Sequence, residues 1–260
     1  CIPNKDGILV FPPTFEMYKF YAEVQGIEMH SILLDQDNNY SLDLKALEAF
    51  DPSKAKLTFI CSPSNPLGHK FSKESIYRAC EYFSDSGLVV LDGAYVEFDS
   101  DEVYKEILSK FDNVIILRTL SKAFGLAGVR CGVLISSDEI CQYIERVIPP
   151  YSFSTPAVNA VIESLSDEGI KESKRNIETI IEDRRWLETE LESLGEVIEV
   201  FPSYTNFILV KVNDAKAFCK KSQDLGFLLR DVSYQPLLEN CVRITVGTTK
   251  QNQKLIRGLK

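Results

Sequence analysis

Val114-Ile115-Ile116-Leu117-Arg118-Thr119-Leu120-Ser121-Lys122-Ala123-Phe124-Gly125-Leu126-Ala127-Gly128-Val129-Arg130 is the stretch on which the fold turns. The unbroken apolar run Val114–Leu117 reads as a strand buried on both faces, which is the pattern of a parallel sheet. Lys122 follows its end, in a stretch of small residues. Open α/β sheets bind ligands just outside the carboxyl ends of their strands. A lone lysine after a strand is most often solvated, so its surroundings decide its meaning. Arg130, eight residues on, is a candidate phosphate ligand.

Outward from this stretch, apolar runs at Ile8–Phe11, Leu57–Cys61, Leu88–Leu91 and Gly132–Ile135 alternate with helical patterns. Glu16–Gln25 is stopped by Gly26. Ser72–Ser86 starts on an N-cap serine and is closed by Gly87. Strands that alternate with helices predict an α/β fold, a mostly parallel sheet with helices on both faces. Ile148–Pro156 is a break. A long helix over Ile170–Leu194 follows, with Ile177, Ile180, Leu187, Leu191 and Leu194 at helical spacing. Beyond Gly195, strands (Val197–Val200, Phe207–Val212, Phe227–Arg230, Val242–Val246), a helix over Asp214–Leu225 and a last helix from Lys250 make a smaller α+β unit. The division expected is residues 1–154 for a large domain and 155–260 for the interdomain helix and small domain.

The 260 residues carry a formal net charge of -9. That argues against a nucleic-acid or anionic-membrane surface and makes any local arginine pair more informative. No apolar run reaches membrane-spanning length, and no signal peptide is read. Seven scattered cysteines without a C-x-x-C pair, beside two histidines, do not make a zinc framework. Reduced, buried thiols in a cytoplasmic protein are the simpler reading. The chain opens at Cys1 and runs almost at once into Gly7–Pro13, which reads as a start inside a fold with an N-terminal segment missing.

Several residues carry chemistry. Lys122 suits a Schiff base with an aldehyde cofactor, pyridoxal 5'-phosphate. Asp92 ends the run Leu88-Val89-Val90-Leu91, and a carboxylate there is costly to bury without a cationic partner. A protonated pyridine nitrogen is such a partner; a helix N-cap role is the plainer one. Tyr95 suits the ring's phenolic oxygen, or ordinary packing. Ser62-Pro63-Ser64-Asn65-Pro66-Leu67-Gly68 is a tight loop after a strand, in which the Asn65 side-chain amide can both donate to and accept from a ring oxygen. A simple β-turn explains the same loop. Arg230 and Arg243 sit in or beside strands, as forks for carboxylate or phosphate or as solvated side chains.

With these residues in place, the chain resembles the fold-type I pyridoxal-phosphate-dependent aminotransferases, and most closely their histidinol-phosphate branch. The resemblance rests on Pro12-Pro13-Thr14-Phe15-Glu16-Met17-Tyr18, Ser64-Asn65-Pro66-Leu67-Gly68, Asp92-Gly93-Ala94-Tyr95, Thr119 to Gly128, Leu229-Arg230-Asp231 and Val242 to Gly247. It implies that Lys122 is the Schiff-base lysine and proton shuttle, that Asp92 pairs with the pyridine nitrogen, and that Asn65 and Tyr95 bond the ring oxygen. By the same resemblance Ser121 and Arg130 hold the cofactor phosphate and Phe15 stacks on the ring. Arg243 holds the substrate carboxylate or phosphate, and Arg230 adds a phosphate contact. The implied reaction is amino transfer between L-histidinol phosphate, an amino-alcohol phosphate, and 2-oxoglutarate, giving imidazole-acetol phosphate and glutamate, in a homodimer.

The pattern departs in three places: Phe15 stands where the family usually has Tyr, Gly93 where it has Glu, and Leu67 where it has Thr. The family's N-terminal arm, with a Gly-rich phosphate-binding turn and an aromatic reaching the partner site, is not in this chain. Aromatic amino-acid transamination, decarboxylation of a phosphorylated amino acid, and a silent binding or regulatory module or inactive fragment stay open. No metal is expected.

Overall fold

The computed structural model describes residues 1–99 and 103–260. Its first sheet has six strands: β1 (Gly7–Val10), β2 (Glu28–Ser31), β3 (Leu57–Cys61), β4 (Leu88–Asp92), β5 (Val114–Thr119) and β6 (Gly132–Ile135). Their order is β2-β1-β3-β4-β5-β6. β1 to β5 pair in parallel, and β6 closes the edge antiparallel to β5. Successive residues of a strand point to opposite faces, and β1 shows it. Leu9 joins one core cluster with Ile60, Leu91, Val114 and Ile116. Ile8 and Val10 join another with Tyr18, Ala22 and Cys61. Both faces are therefore buried, and the strands read as unbroken apolar runs. β6 differs, because its Val133 and Ile135 are 45% and 40% exposed.

Helices α1 (Met17–Val24), α2 (Leu44–Ala49), α3 (Lys73–Tyr82), α4 (Val103–Lys110) and α5 (Asp138–Glu145) fall between or after these strands. The Ser72 side chain accepts from Ser75 N–H as the N-cap of α3, a contact worth about 1 kcal/mol. Several elements went unread in the sequence. β2, Glu-Met-His-Ser, is a half-exposed edge strand without an apolar run. α2 is only six residues long, and α5 buries none of its residues. α6 (Thr155–Ser164) starts inside the expected break, with Pro156 in its first turn, where a missing N–H costs nothing.

α7 (Asp167–Glu192) runs 26 residues, or about 39 Å at 1.5 Å per residue. Near its end Leu187 and Leu191 are fully buried against the second sheet. That sheet is antiparallel, in the order β7 (Val197–Val200), β8 (Phe207–Val212), β10 (Cys241–Thr245), β9 (Arg230–Asp231). α8 (Ala215–Asp224) and α9 (Thr249–Leu259) contribute Phe218, Leu255, Ile256 and Leu259 to its core. A capping box of Thr248 and Gln251 starts α9. The two units are joined by contacts beyond the helix. Tyr204 N–H donates to the Gly68 carbonyl at 2.8 Å. Gly68 has φ +84°, and a Cβ there would lie 2.9 Å from Ser203 Oγ, so only glycine allows this approach.

Candidate active site

Register places the candidate residues at one edge. β3, β4 and β5 pair so that Cys61 lies beside Asp92 and Asp92 beside Leu117. The loops after all three strands therefore leave from the same carboxyl-end edge of the sheet, carrying Asn65, Tyr95 and Lys122.

Asp92 ends β4 and is partly buried. Its Oδ1 accepts from Ala94 N–H at 3.1 Å and its Oδ2 from the Tyr18 hydroxyl at 2.5 Å. Neither donor carries charge. Burial is the largest influence and raises the Asp92 pKa, opposed by Tyr18, Ala94 N–H and the positive charge of Lys122. A partly buried carboxylate with only neutral donors is short of a cation.

Lys122 lies three residues past β5. Its Nζ is 5.4 Å from the centre of the Tyr95 ring. Burial of the amine is the first cause that lowers its pKa. Arg243 comes next and Arg130 adds to it, while Asp92 pulls the other way. The cation that matters most for this amine is thus Arg243, from the second sheet, rather than the nearby-in-sequence Arg130. Lys122 is an exposed residue, and partial desolvation with two arginines nearby makes its amine deprotonate more readily than a free one.

Asn65 is 9% exposed. Its Oδ1 accepts from Arg243 Nη1 at 2.7 Å, a bond across 178 residues. The Arg243 guanidinium also lies 5.0 Å from the Phe207 ring. Its Nε is buried without a hydrogen-bond partner, leaving part of a rigid donor fork available. Tyr95 is buried edge-on against Phe207, and burial pushes its hydroxyl up to about 12.

Of the remaining candidates, Arg130, Phe15 and Arg230 are exposed, as Lys122 is, and Ser121 is half-buried. Ser121 N–H donates to Thr119 Oγ1 at 3.1 Å. Arg130 is exposed, with φ 58°, and donates to the Ala127 carbonyl at 3.1 Å. Phe15 is 38% exposed and packs edge-on against Tyr18. Arg230 stands directly across from Arg243 in the β9–β10 ladder. Like charges so placed repel. Arg230 turns instead to Glu16, at 3.8 Å, and Tyr234, at 3.4 Å. At Gly93, where the family pattern has Glu, a Cβ would meet Leu117 O and Arg118 Cδ at 3.3 Å.

Two clefts border parts of this group, one at Phe15 and Tyr18 and one at Lys122; neither is lined by Asp92, Asn65, Tyr95 or Arg243. One, of about 290 Å³, is lined by Phe15, Glu16, Tyr18 and Tyr234 among others. The other, of about 470 Å³, holds Lys122 to Gly125, Asp183 of α7 and the residues before α9. A larger hollow of about 790 Å³ lies at the opposite edge of the sheet, by Gly87 and Asn113, and contains none of these residues. Reasoning from sequence missed the bonding roles of Tyr18 and of the Arg243–Asn65 pair. A tyrosine at the start of a helix and an arginine 178 residues from its partner carry no local signal.

The donor set fits pyridoxal 5'-phosphate. A partly buried carboxylate hydrogen-bonded only by neutral donors suits a pyridinium, Lys122 suits an aldehyde, and the Arg243 guanidinium suits an anionic substituent. Asp92, Asn65, Tyr95 and Lys122 would hold the ring, and Ser121 and Arg130 the phosphate. Among the described residues no cluster of His, Cys, Asp or Glu could hold a metal ion.

Comparison with known proteins agrees with the fold. The family model for aminotransferase class I and II matches residues 1–259. The histidinol-phosphate aminotransferase of Pectobacterium carotovorum is 38% identical over 260 residues, covering all of this chain and 72% of that protein. The crystal structure of histidinol-phosphate aminotransferase from Clostridium acetobutylicum superposes with a TM-score of 0.89 at 24% identity, covering 98% of this chain and 77% of that one. The enzyme from Sinorhizobium meliloti, solved in complex with pyridoxal-5'-phosphate, gives 0.86 at 24% identity, covering all of this chain and 70% of that one. This chain belongs to the class I and II aminotransferase family, with the histidinol-phosphate aminotransferases among its relatives.

Proposed function

We propose that this chain catalyses the pyridoxal-phosphate-dependent transfer of an amino group from L-histidinol phosphate to 2-oxoglutarate, a step of histidine biosynthesis. The observation that carries the reading is the meeting of Lys122, Asp92, Asn65 and Arg243, from two sheets, at one strand-end edge. When bound, the cofactor supplies an electron sink for the electron pair left at the substrate Cα. Asp92 would hold the pyridine nitrogen and favour its charged form. Asn65 and Tyr95 would bond the ring oxygen, with Phe15 beside the ring. Ser121 and Arg130 would hold the cofactor phosphate.

Lys122 Nζ, whose pKa is lowered by partial desolvation and by Arg243 and Arg130, would take the proton from the substrate Cα and pass it to the cofactor's aldehyde-derived carbon. Arg243 fixes the substrate's anionic group, and Arg230 adds a second cation beside it. This reading assigns residues 1–154 to cofactor binding and 155–260 to the part that brings Arg230 and Arg243 over it. It includes a homodimer, supported by exposed apolar side chains such as Tyr143, Val147, Tyr151 and Ile162. It also includes a reducing, cytoplasmic setting, supported by seven free cysteines.

The test is a comparison of glutamate formation from 2-oxoglutarate with L-histidinol phosphate and with phenylalanine as donors. Preference for histidinol phosphate is expected. Equal or greater rates with phenylalanine, or release of carbon dioxide from a phosphorylated amino acid without glutamate formation, would overturn the substrate.

A further inference from the structure

We propose that Tyr18 is a positioning residue for Asp92, one that fixes the carboxylate's rotation and sets how strongly it holds a protonated ring nitrogen. The inference rests on the reading that Asp92 faces the pyridine nitrogen of pyridoxal phosphate.

The geometry is specific. Ala94 N–H takes Oδ1 and the Tyr18 hydroxyl takes Oδ2. Two donors on two different oxygens fix the carboxyl plane about its Cβ–Cγ bond, while each oxygen keeps a second lone pair for a ligand. Tyr18 is itself held fast. It is 8% exposed, its ring stacks on Phe59 at 4.7 Å and 23°, and Ile8, Val10, Ala22 and Cys61 surround it. Packing alone would be served by Phe. The hydroxyl is the part of the side chain that packing does not require, and it donates to the Asp92 carboxylate, with the Cys61 thiol also beside it. Phe15 lies one turn before Tyr18 and touches it edge-on at 5.5 Å. The start of α1 thus carries both the ring proposed to cover the cofactor and the hydroxyl that orients its carboxylate.

The physical consequence concerns proton affinity. A donated hydrogen bond stabilises the ionised carboxylate. Without it Asp92 competes harder for the ring proton, and the charged pair drifts towards a neutral one.

The experiment compares wild type, Tyr18→Phe, Asp92→Asn and the double variant. Each is loaded with pyridoxal phosphate labelled with ¹⁵N in the ring. Two quantities are read: the dissociation constant for the cofactor and the ring-nitrogen resonance. Tyr18→Phe is expected to weaken cofactor binding about tenfold, the size of one charge-assisted hydrogen bond. It is also expected to move the resonance towards unprotonated pyridine. In the Asp92→Asn background the same change is expected to have at most a small effect.

Unchanged affinity and resonance in Tyr18→Phe would overturn the proposal. So would an equal loss of affinity in both backgrounds, which would mark Tyr18 as a packing residue. Because the double variant has no carboxylate to leave under-bonded, it keeps the comparison readable if the single variant folds poorly. A wild-type chain that takes no cofactor at Lys122 would instead overturn the functional reading, and that result appears before any substitution is made.

Discussion

The two halves of the site are built differently. On the ring side, Asn65, Tyr95 and Tyr18 are buried and Asp92 is partly buried; Tyr18 bonds Asp92 and Asn65 bonds Arg243, partners far away in sequence. On the anion side, Arg130 is exposed and bonds a carbonyl three residues back. The Arg230 side chain there is 61% exposed and paired with a half-exposed Glu16. The ring side is organised before any ligand arrives, which is where catalytic electrostatics gain most. The anion side relies on charges that water and salt screen. Arg243 bridges the halves, because it belongs to the second sheet yet bonds Asn65 of the first.

This contrast orders the expected effects of substitution. Lys122→Ala removes the proton-transferring amine, and turnover is expected to fall about a thousandfold or more, measured as glutamate formed per enzyme. Asp92→Asn removes the charge facing the ring, with an expected loss of about 10²–10³ in kcat. Arg243→Lys keeps the charge but loses the fork and the bond to Asn65. An increase of about tenfold or more in KM for the phosphorylated substrate is expected. Arg230→Gln should raise KM only about threefold, with the difference fading as salt is added. If Arg230→Gln cost more than Arg243→Lys, the contrast between the two halves would break.

Asp92 gives the comparison a second edge, in stability. Its pKa in the folded protein is raised above the ordinary 3.8, chiefly by burial. The folded state therefore holds the Asp92 proton more tightly than the unfolded chain does. That contribution is fully present below 3.8 and is lost as pH rises through the raised value. Cofactor-free Asp92→Asn should then melt higher than cofactor-free wild type at neutral pH, with the gap closing towards pH 4. A lower melting temperature for Asp92→Asn at neutral pH would contradict the idea of a carboxylate buried at a cost to the fold.

How much of this was legible in the sequence follows the same divide. β3 and β6 match the expected runs residue for residue, and β1, β4 and β5 within two residues at either end. Such runs are continuous because both sheet faces, or the strand's neighbours, demand apolar residues. Lys122, Asp92 and Asn65 stood out because a polar residue just past an apolar run is conspicuous. β2 was missed because an edge strand half open to water tolerates Glu and His. The break near Ile148–Pro156 concealed the start of α6, since proline reads as a stop although it is welcome in a first turn. Tyr18 was seen only as part of a motif. Its bond to Asp92 spans 74 residues, and nothing local in either segment announces it. The expected strand Phe227–Arg230 is mostly coil, with only Arg230 and Asp231 in the ladder.

The most direct test of the central claim is to load the chain with pyridoxal phosphate, reduce it with borohydride, and digest it with trypsin. The expected result is the phosphopyridoxyl mass on Lys122, within a single peptide running from Thr119 to Arg130 because trypsin passes over the modified lysine. The same mass found on another lysine, or on none, would contradict the assignment of this strand-end edge as the cofactor site.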